Sequence, residues 1–287
     1  MMVDSTSPLV LRRRLRTELR RARQEKSLTQ EQVAVAMVWS LSKMIRIENA
    51  ASSISVNDLK ALLQLYGITD EKQTAELVAL AREARKQTWW RSYSHVAPSS
   101  LIELIDYESA ASSVRQFETT YIPGILQTEE YARAVLDNFY GDTPDSKGVA
   151  ALVELRTKRW DQLNGEDAPR FSFILDEPVI HRLVAGPSVM RRQLRRLSDV
   201  AELPNVTIEI VPLSVGLHPG TNGSFEIIQL ADASDEYVVH LEGARNEISD
   251  DPNETKRYLD RFKRIKKVAL GPSDSAPLLR KTADEMM

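Results

Sequence analysis

The chain has 287 residues, 42% hydrophobic and 28% charged, with 11 Gly, 13 Pro and no cysteine, a globular composition long enough for two domains of ordinary size. Lack of cysteine excludes disulfides, thiolate nucleophiles and Cys-containing metal sites, no run approaches a membrane span, and residues 1–8 carry no apolar signal segment, so a cytoplasmic protein is expected. The net charge of −3 hides an asymmetry: residues 1–60 hold 11 Lys/Arg against 6 Asp/Glu, a balance of +5, and the remainder holds 27 against 35, a balance of −8.

Leu11 to Lys26 reads as a helix, with Leu15, Leu19 and Ala22 at i, i+4, i+7 as its buried stripe and Arg12, Arg16, Arg20 and Arg23 along another face. Such a row is either a solvated surface or a source of cations for phosphates. Thr29 to Met37 is a second helix capped by Thr29, with Val33 and Ala34 inward. After a tight turn at Met37-Val38-Trp39, Ser40 caps a third helix reaching Asn49. That helix has Met44 and Ile47 on one side and Ser42, Lys43 and Arg46 on another. Two short helices joined by a tight turn, the second presenting polar side chains, are the layout of a DNA-reading helix-turn-helix, and the basic front suits it. Ser55 caps a fourth helix with Val56, Leu59, Leu62, Leu63 and Tyr66 apolar, and Gly67 stops it. Asp70 opens a fifth with Leu77, Leu80, Ala81 and Ala84 inside. Together they make an all-α five-helix domain over residues 8–88.

Residues 89–100 break the helical pattern and are read as a connector whose Trp89 and Trp90 pack against the body. A helix is expected from Leu101 to Glu118, then a Pro123-Gly124 turn, a helix from Thr128 to Phe139 and another from Lys147 to Leu163. Strands are expected at 171–175, 206–211, 225–230 and 237–241, the last two flanking a hairpin turn at Ala233-Ser234-Asp235. Helices are expected at 177–184, 188–202 and 253–270. Residues 101–272 thus form an α+β regulatory domain with a small, mostly antiparallel sheet of about four strands, and 273–287 form a tail that frays.

Enzyme signatures are sparse. Glu177 and His181 at i, i+4, with Asp176 before them, suit an ion-paired helix start better than a metal site. Gly216 to Gly223 is Gly-rich but lacks the Lys-Ser/Thr and the following helix of a phosphate cradle; it would serve as a flexible loop gating a ligand or partner. No Gly-x-Ser-x-Gly, P-loop or His-Glu-x-x-His is present. No enzymatic activity, catalytic residue, metal or cofactor is expected.

Residues 11–67 resemble the lambda-repressor-like (XRE) helix-turn-helix through Leu19 to Arg23, Leu28 to Gln32 and Ser42 to Asn49. The remainder resembles the regulatory domain of uncharacterised function that follows such heads in a group of bacterial regulators, through Trp89-Trp90, Tyr121 to Arg133, Leu175 to Glu177, Gly186-Pro187, Leu203 to Thr207, His218 to Gly220 and Phe225. The resemblance implies a bacterial, antitoxin-like transcriptional regulator that binds double-stranded DNA as a homodimer and pairs with a small protein encoded beside it. It also implies roles. Gln30 holds a phosphate and braces the reading helix; Leu41, Ser42 and Arg46 stand at base edges; Lys43 and Asn49 contact the backbone, and Ser40 is a further DNA-binding position. Arg23 either pairs with Glu48 or contacts phosphate. Four positions depart from the family pattern: Val38 replaces a glycine, so the turn is expected to take another shape; Leu41 replaces a polar residue, Ile45 faces solvent, and Ala50 sits where glycine ends the helix. These leave a second reading open, an adaptor whose head has lost specific DNA binding and assembles with protein.

Overall fold

The computed structural model describes residues 8–48, 52–86, 88–140, 146–163, 165, 168–231, 236–243 and 246–286. The chain divides into two compact units, Met1–Trp89 and Trp90–Met287.

The first unit is five helices: α1 (Pro8–Glu25), α2 (Gln30–Ala36), α3 (Leu41–Glu48), α4 (Val56–Leu65) and α5 (Glu71–Glu83). Their starts follow local chemistry. Thr29 forms a capping box, its hydroxyl accepting from Gln32 N and the Gln32 carboxamide accepting from Thr29 N. Ser55 and Asp70 accept from Asp58 N and Gln73 N. Each such cap satisfies a helix-end donor and contributes about 1 kcal/mol. The core joins Leu15 and Leu19 of α1, Val33 of α2, Met44 and Ile47 of α3, Leu59, Leu62 and Leu63 of α4, and Leu77 of α5, each worth about 1.5–3 kcal/mol when fully buried.

The second unit opens with a 3-10 turn at Trp89–Tyr93, followed by α6 (Ser99–Glu108). Trp90 is buried, its indole N–H donating to Asp106 Oδ1 at 2.7 Å. Trp89, expected to pack alike, remains 40% exposed. The helix expected over 101–118 is corrected: α6 ends at Glu108, and Ala111–Glu118 is strand β1. Next come α7 (Glu129–Tyr140), α8 (Ser146–Lys158), β2 (Arg170–Asp176), α9 (Glu177–His181), α10 (Pro187–Val200), β3 (Val206–Val211), β4 (Phe225–Leu230), β5 (Tyr237–Leu241), β6 (Glu247–Ser249), α11 (Pro252–Lys266) and α12 (Pro272–Glu285). Among the described residues the fold is thus an all-α helix-turn-helix domain followed by an α+β domain whose mixed sheet has six strands in the order β3-β2-β1-β4-β5-β6. Strands β1, β2 and β3 run parallel; β4 pairs antiparallel with β1 and β5, and β6 antiparallel with β5. The hairpin turn expected at Ala233-Ser234-Asp235 lies outside the described residues.

One sheet face is apolar: Phe117, Ile174, Phe225, Ile227 and Val239 pack on Phe262 and Ile265 of α11. The tail expected after residue 272 is corrected. It is α12, whose Leu279 and Ala283 are buried and which lies against α10 and β3. Its start is fastened to the outer edge of β3: Leu270 N donates to Ile210 O at 2.8 Å, and Ile210 N donates to the Ser275 hydroxyl at 3.1 Å.

Candidate nucleic-acid interface

Helices α2 and α3 are joined by a Schellman turn. Val38 N donates to Val35 O and Trp39 N to Ala34 O, which requires a left-handed residue at position 38. Val38 adopts it, with φ +54. The expectation that valine would force another turn shape is therefore corrected. The two hydrogen bonds and the seating of Trp39 against the head's core outweigh a strain of roughly 1–2 kcal/mol. Ser40 then caps α3, its hydroxyl accepting from Lys43 N at 3.2 Å.

Behind α3 lies one buried acid, Glu48. It accepts from Arg23 Nε at 2.6 Å, Arg23 Nη2 at 3.0 Å and Gln30 Nε2 at 2.7 Å. Arg23 Nη1 donates to Leu28 O at 2.6 Å, so each of the three Arg23 nitrogens is engaged within the head. Arg23 serves the structural pair, and its hydrogen bonds to Glu48 hold the guanidinium more firmly charged. A buried carboxylate is tolerated only when so paired, and the pairing ties α1, α2 and α3 into one frame. Gln30 thus braces α3 through Glu48.

In front, Leu41, Ser42, Ile45 and Arg46 share one exposed face of α3, opposite the buried Met44 and Ile47. Lys43 turns aside: its Nζ meets Asp58 Oδ2 of α4 at 3.0 Å and lies 4.1 Å from the Trp39 ring centroid. Asn49 and Ala50 lie outside the described residues. Val35 and Val38 add apolar surface beside this face, 74% and 92% exposed. The arginine row of α1 is uneven, with Arg20 exposed and Arg12, Arg16 and Arg23 half-buried.

In the body, His181 Nε2 meets Glu177 Oε1 at 3.4 Å, while Glu177 Oε2 accepts from Leu213 N at 2.6 Å. Asp176 pairs elsewhere, with His218 Nε2 at 3.4 Å, a contact the sequence reading missed because the two lie 42 positions apart. Burial raises the Asp176 carboxyl above its ordinary value, and His218 opposes that rise. The Gly-rich loop, expected to be flexible, is pinned by Arg261, whose Nε donates to Pro219 O at 2.7 Å. A Cβ on Gly220 would collide with the Phe117 ring. Among the described residues no cluster of His, Asp and Glu is arranged to hold a metal ion, and no helix is long and apolar enough to cross a membrane.

Strands β1, β4 and β5 carry a row of polar side chains, the half-buried Gln116 and the buried Glu118, Glu226 and His240, on the face that meets α6 and α8. Sequence reasoning missed this row. Its signal was a lone acid inside an apolar run, Phe225-Glu226-Ile227-Ile228.

Two family models match the chain. One is a helix-turn-helix domain over residues 14–77; the other is the Domain of unknown function (DUF5753) over residues 101–281. Neither a curated protein nor a solved structure matches it.

Proposed function

The chain belongs to the Domain of unknown function (DUF5753) family and carries a helix-turn-helix domain ahead of the family's region, and from that premise we propose a sequence-specific transcriptional regulator of the lambda-repressor-like (XRE) kind. The observation that carries this reading is the α3 face: Leu41, Ser42, Ile45 and Arg46 stand exposed on a short helix whose back is locked by Glu48. Such a helix fits the major groove. Arg46 has the reach and fork to take a guanine through N7 and O6, and Leu41 and Ile45 suit thymine methyls. Lys43 and Asn49 serve as backbone contacts, Lys43 by exchanging Asp58 for a phosphate, and Ser40 adds a DNA contact at the start of α3. A single short helix yields few base contacts, so the protein acts as a homodimer on a palindrome. It acts by binding rather than by catalysis, in the bacterial cytoplasm where its operator lies. The body receives the signal, from a small molecule or a small partner protein in an antitoxin-like pair.

The apolar surface of Val35, Val38, Leu41 and Ile45 favours a second reading, a head that docks protein instead of DNA. Selection of bound sequences from a random DNA pool at moderate salt separates the two. Recovery of an enriched palindrome supports the regulator and its half-site spacing gives the dimer geometry; a folded protein that enriches nothing supports the adaptor. On a recovered site, Arg46→Ala costs about 1–3 kcal/mol and relaxes one base position. Lys43→Ala weakens all sequences alike and flattens the salt dependence.

A further inference from the structure

The polar row on the sheet is buried where an apolar layer is the rule. Glu118 is 4% exposed and Glu226 2%. Two further buried groups join them, Glu108 at the end of α6 and Arg159 just beyond α8. Arg159 forks onto Glu108, Nε to Oε2 at 3.0 Å and Nη2 to Oε1. Its charge is thereby matched. Glu226 stands against Glu108, and its Oε1 has no hydrogen-bond partner. Glu118 accepts from Gln116 Nε2 at 2.7 Å and meets Glu242. Among the described residues a second guanidinium lines the same space, that of Arg156, one of whose hydrogen bonds goes to Gln127 at 2.8 Å. Among the described residues, three buried carboxylates and the exposed Glu242 therefore share two guanidiniums, one of which is matched by a single acid. An unmatched carboxylate in such a setting costs several kcal/mol unless something neutralises it.

These acids face open space. Glu118 and Glu242 line a cleft of about 650 Å³ at the carboxyl end of β1, within the usual size of small-molecule sites and at the edge where sheets of this kind take ligands. A side cavity of about 170 Å³ holds Glu226 and His240 and shares Leu136, Arg156 and Glu242 with the cleft. The opposite wall of the cleft is apolar, from Ile122, Val135, Leu136 and Phe139.

We propose that the cleft and its side cavity form one binding site for a small organic cation, with an ammonium or amidinium head seated among Glu118, Glu226 and Glu242 and an apolar body against Ile122, Leu136 and Phe139. The proposal deepens the reading of the body as a signal receiver and rests on it. An anion is disfavoured by the acid surplus, and a bare metal ion by the apolar wall and by the lack, among the described residues, of three acids or histidines arranged to hold one. Burial, with the Glu108 charge, lifts the Glu226 carboxyl well above the ordinary carboxylate range; burial, with Glu242, does the same for Glu118. An arriving cation takes over from those protons, so binding releases protons and tightens as pH rises. Among the described residues, the charged or titratable groups facing Glu226 are Glu108 of α6, Arg159 beyond α8, Arg156 of α8, His240 of β5 and Glu242.

The test is calorimetric titration of the full chain with phenethylamine, benzamidine and putrescine, set against 2-phenylethanol and 3-phenylpropionate as neutral and anionic shapes. At least one cation is expected to bind about tenfold or more tighter than both controls, with heat that varies with the buffer's ionisation enthalpy. Glu226→Gln, which keeps the side-chain shape, weakens it about tenfold while circular dichroism stays native; Leu136→Phe, which narrows the cleft without touching charge, weakens it also. Failure of all three cations at millimolar concentration overturns the proposal, as does equal binding of the controls or full binding by Glu226→Gln. The regulator reading fails separately, in the DNA selection, and cation binding with no selected DNA would leave this site standing.

Discussion

Val38 is the residue at which local preference and tertiary demand most openly disagree. A valine at φ +54 costs roughly 1–2 kcal/mol, and at 92% exposure its side chain recovers little by packing. Glycine removes the strain but adds about 0.5–1 kcal/mol of unfolded-chain entropy. For a β-branched side chain the strain outweighs that entropy, so Val38→Gly is expected to stabilise the head by up to about 1 kcal/mol, read as a higher urea midpoint at unchanged slope. A lower midpoint would mean that the valine is held by contacts its exposure does not reveal. Glu226 is the second such residue. Its folded-state pKa is raised, so the native protein holds a proton that the unfolded chain releases. Stability therefore falls as pH climbs from the unfolded value of about 4.3 through the raised one. Glu226→Gln removes that slope: by scanning calorimetry its melting temperature exceeds that of the wild type at pH 8 by more than at pH 5. An equal offset at both values would assign the proton elsewhere.

Among elements, those with short-range signals were legible. Thr29, Ser55 and Asp70 each begin a helix where their side chains cap it, and the strands of Phe171, Val206 and Tyr237 stand where their apolar residues fall. Strand β1 was not legible. Its residues Gln116 and Glu118 face the interior, so the apolar–polar alternation that marks a strand is absent, and the apolar pattern of α6 reads on through it. The same inversion hid the acid-lined cleft, because its residues are brought together by pairings among β1, β4 and β5 that no local pattern records. Helix α12 was hidden by its polar composition; what fixes it is the clasp on β3. Ser275→Ala leaves the buried Ile210 N–H without an acceptor, an expected cost of about 1–3 kcal/mol measurable by urea unfolding. A change within experimental error would show that the backbone bond from Leu270 suffices.

At the scale of the whole molecule, the helix-turn-helix half carries a core cluster, helix caps and a buried ion pair of its own. One core cluster of the first unit is drawn from residues 15–81, Leu9, Val10, Leu11 and Ala84 are buried as well, and its caps and the Glu48 pairing are internal to it. Residues 8–88 alone are expected to unfold cooperatively, with sharp side-chain resonances in the folded state; a molten spectrum would show that the head needs the remainder of the chain. That autonomy rests on contacts close in sequence, which is why the head could be read residue by residue, whereas the body's site depends on partners more than a hundred positions apart, such as Glu118 and Glu242.

The clasp on β3 also sets an order of events at the ribosome. Domains fold as they emerge, the N-terminal one first, and the head can close while the body is still being translated. The sheet cannot. Strand β3 is made just past the middle of the body, but the Ile210 N–H and C=O on its outer edge find their partners only when Leu270 and Ser275 follow some sixty positions later. Through that interval the nascent sheet carries an open edge, and a chain abandoned before position 270 keeps it open for good, ready to pair with the next unfinished copy on the same message.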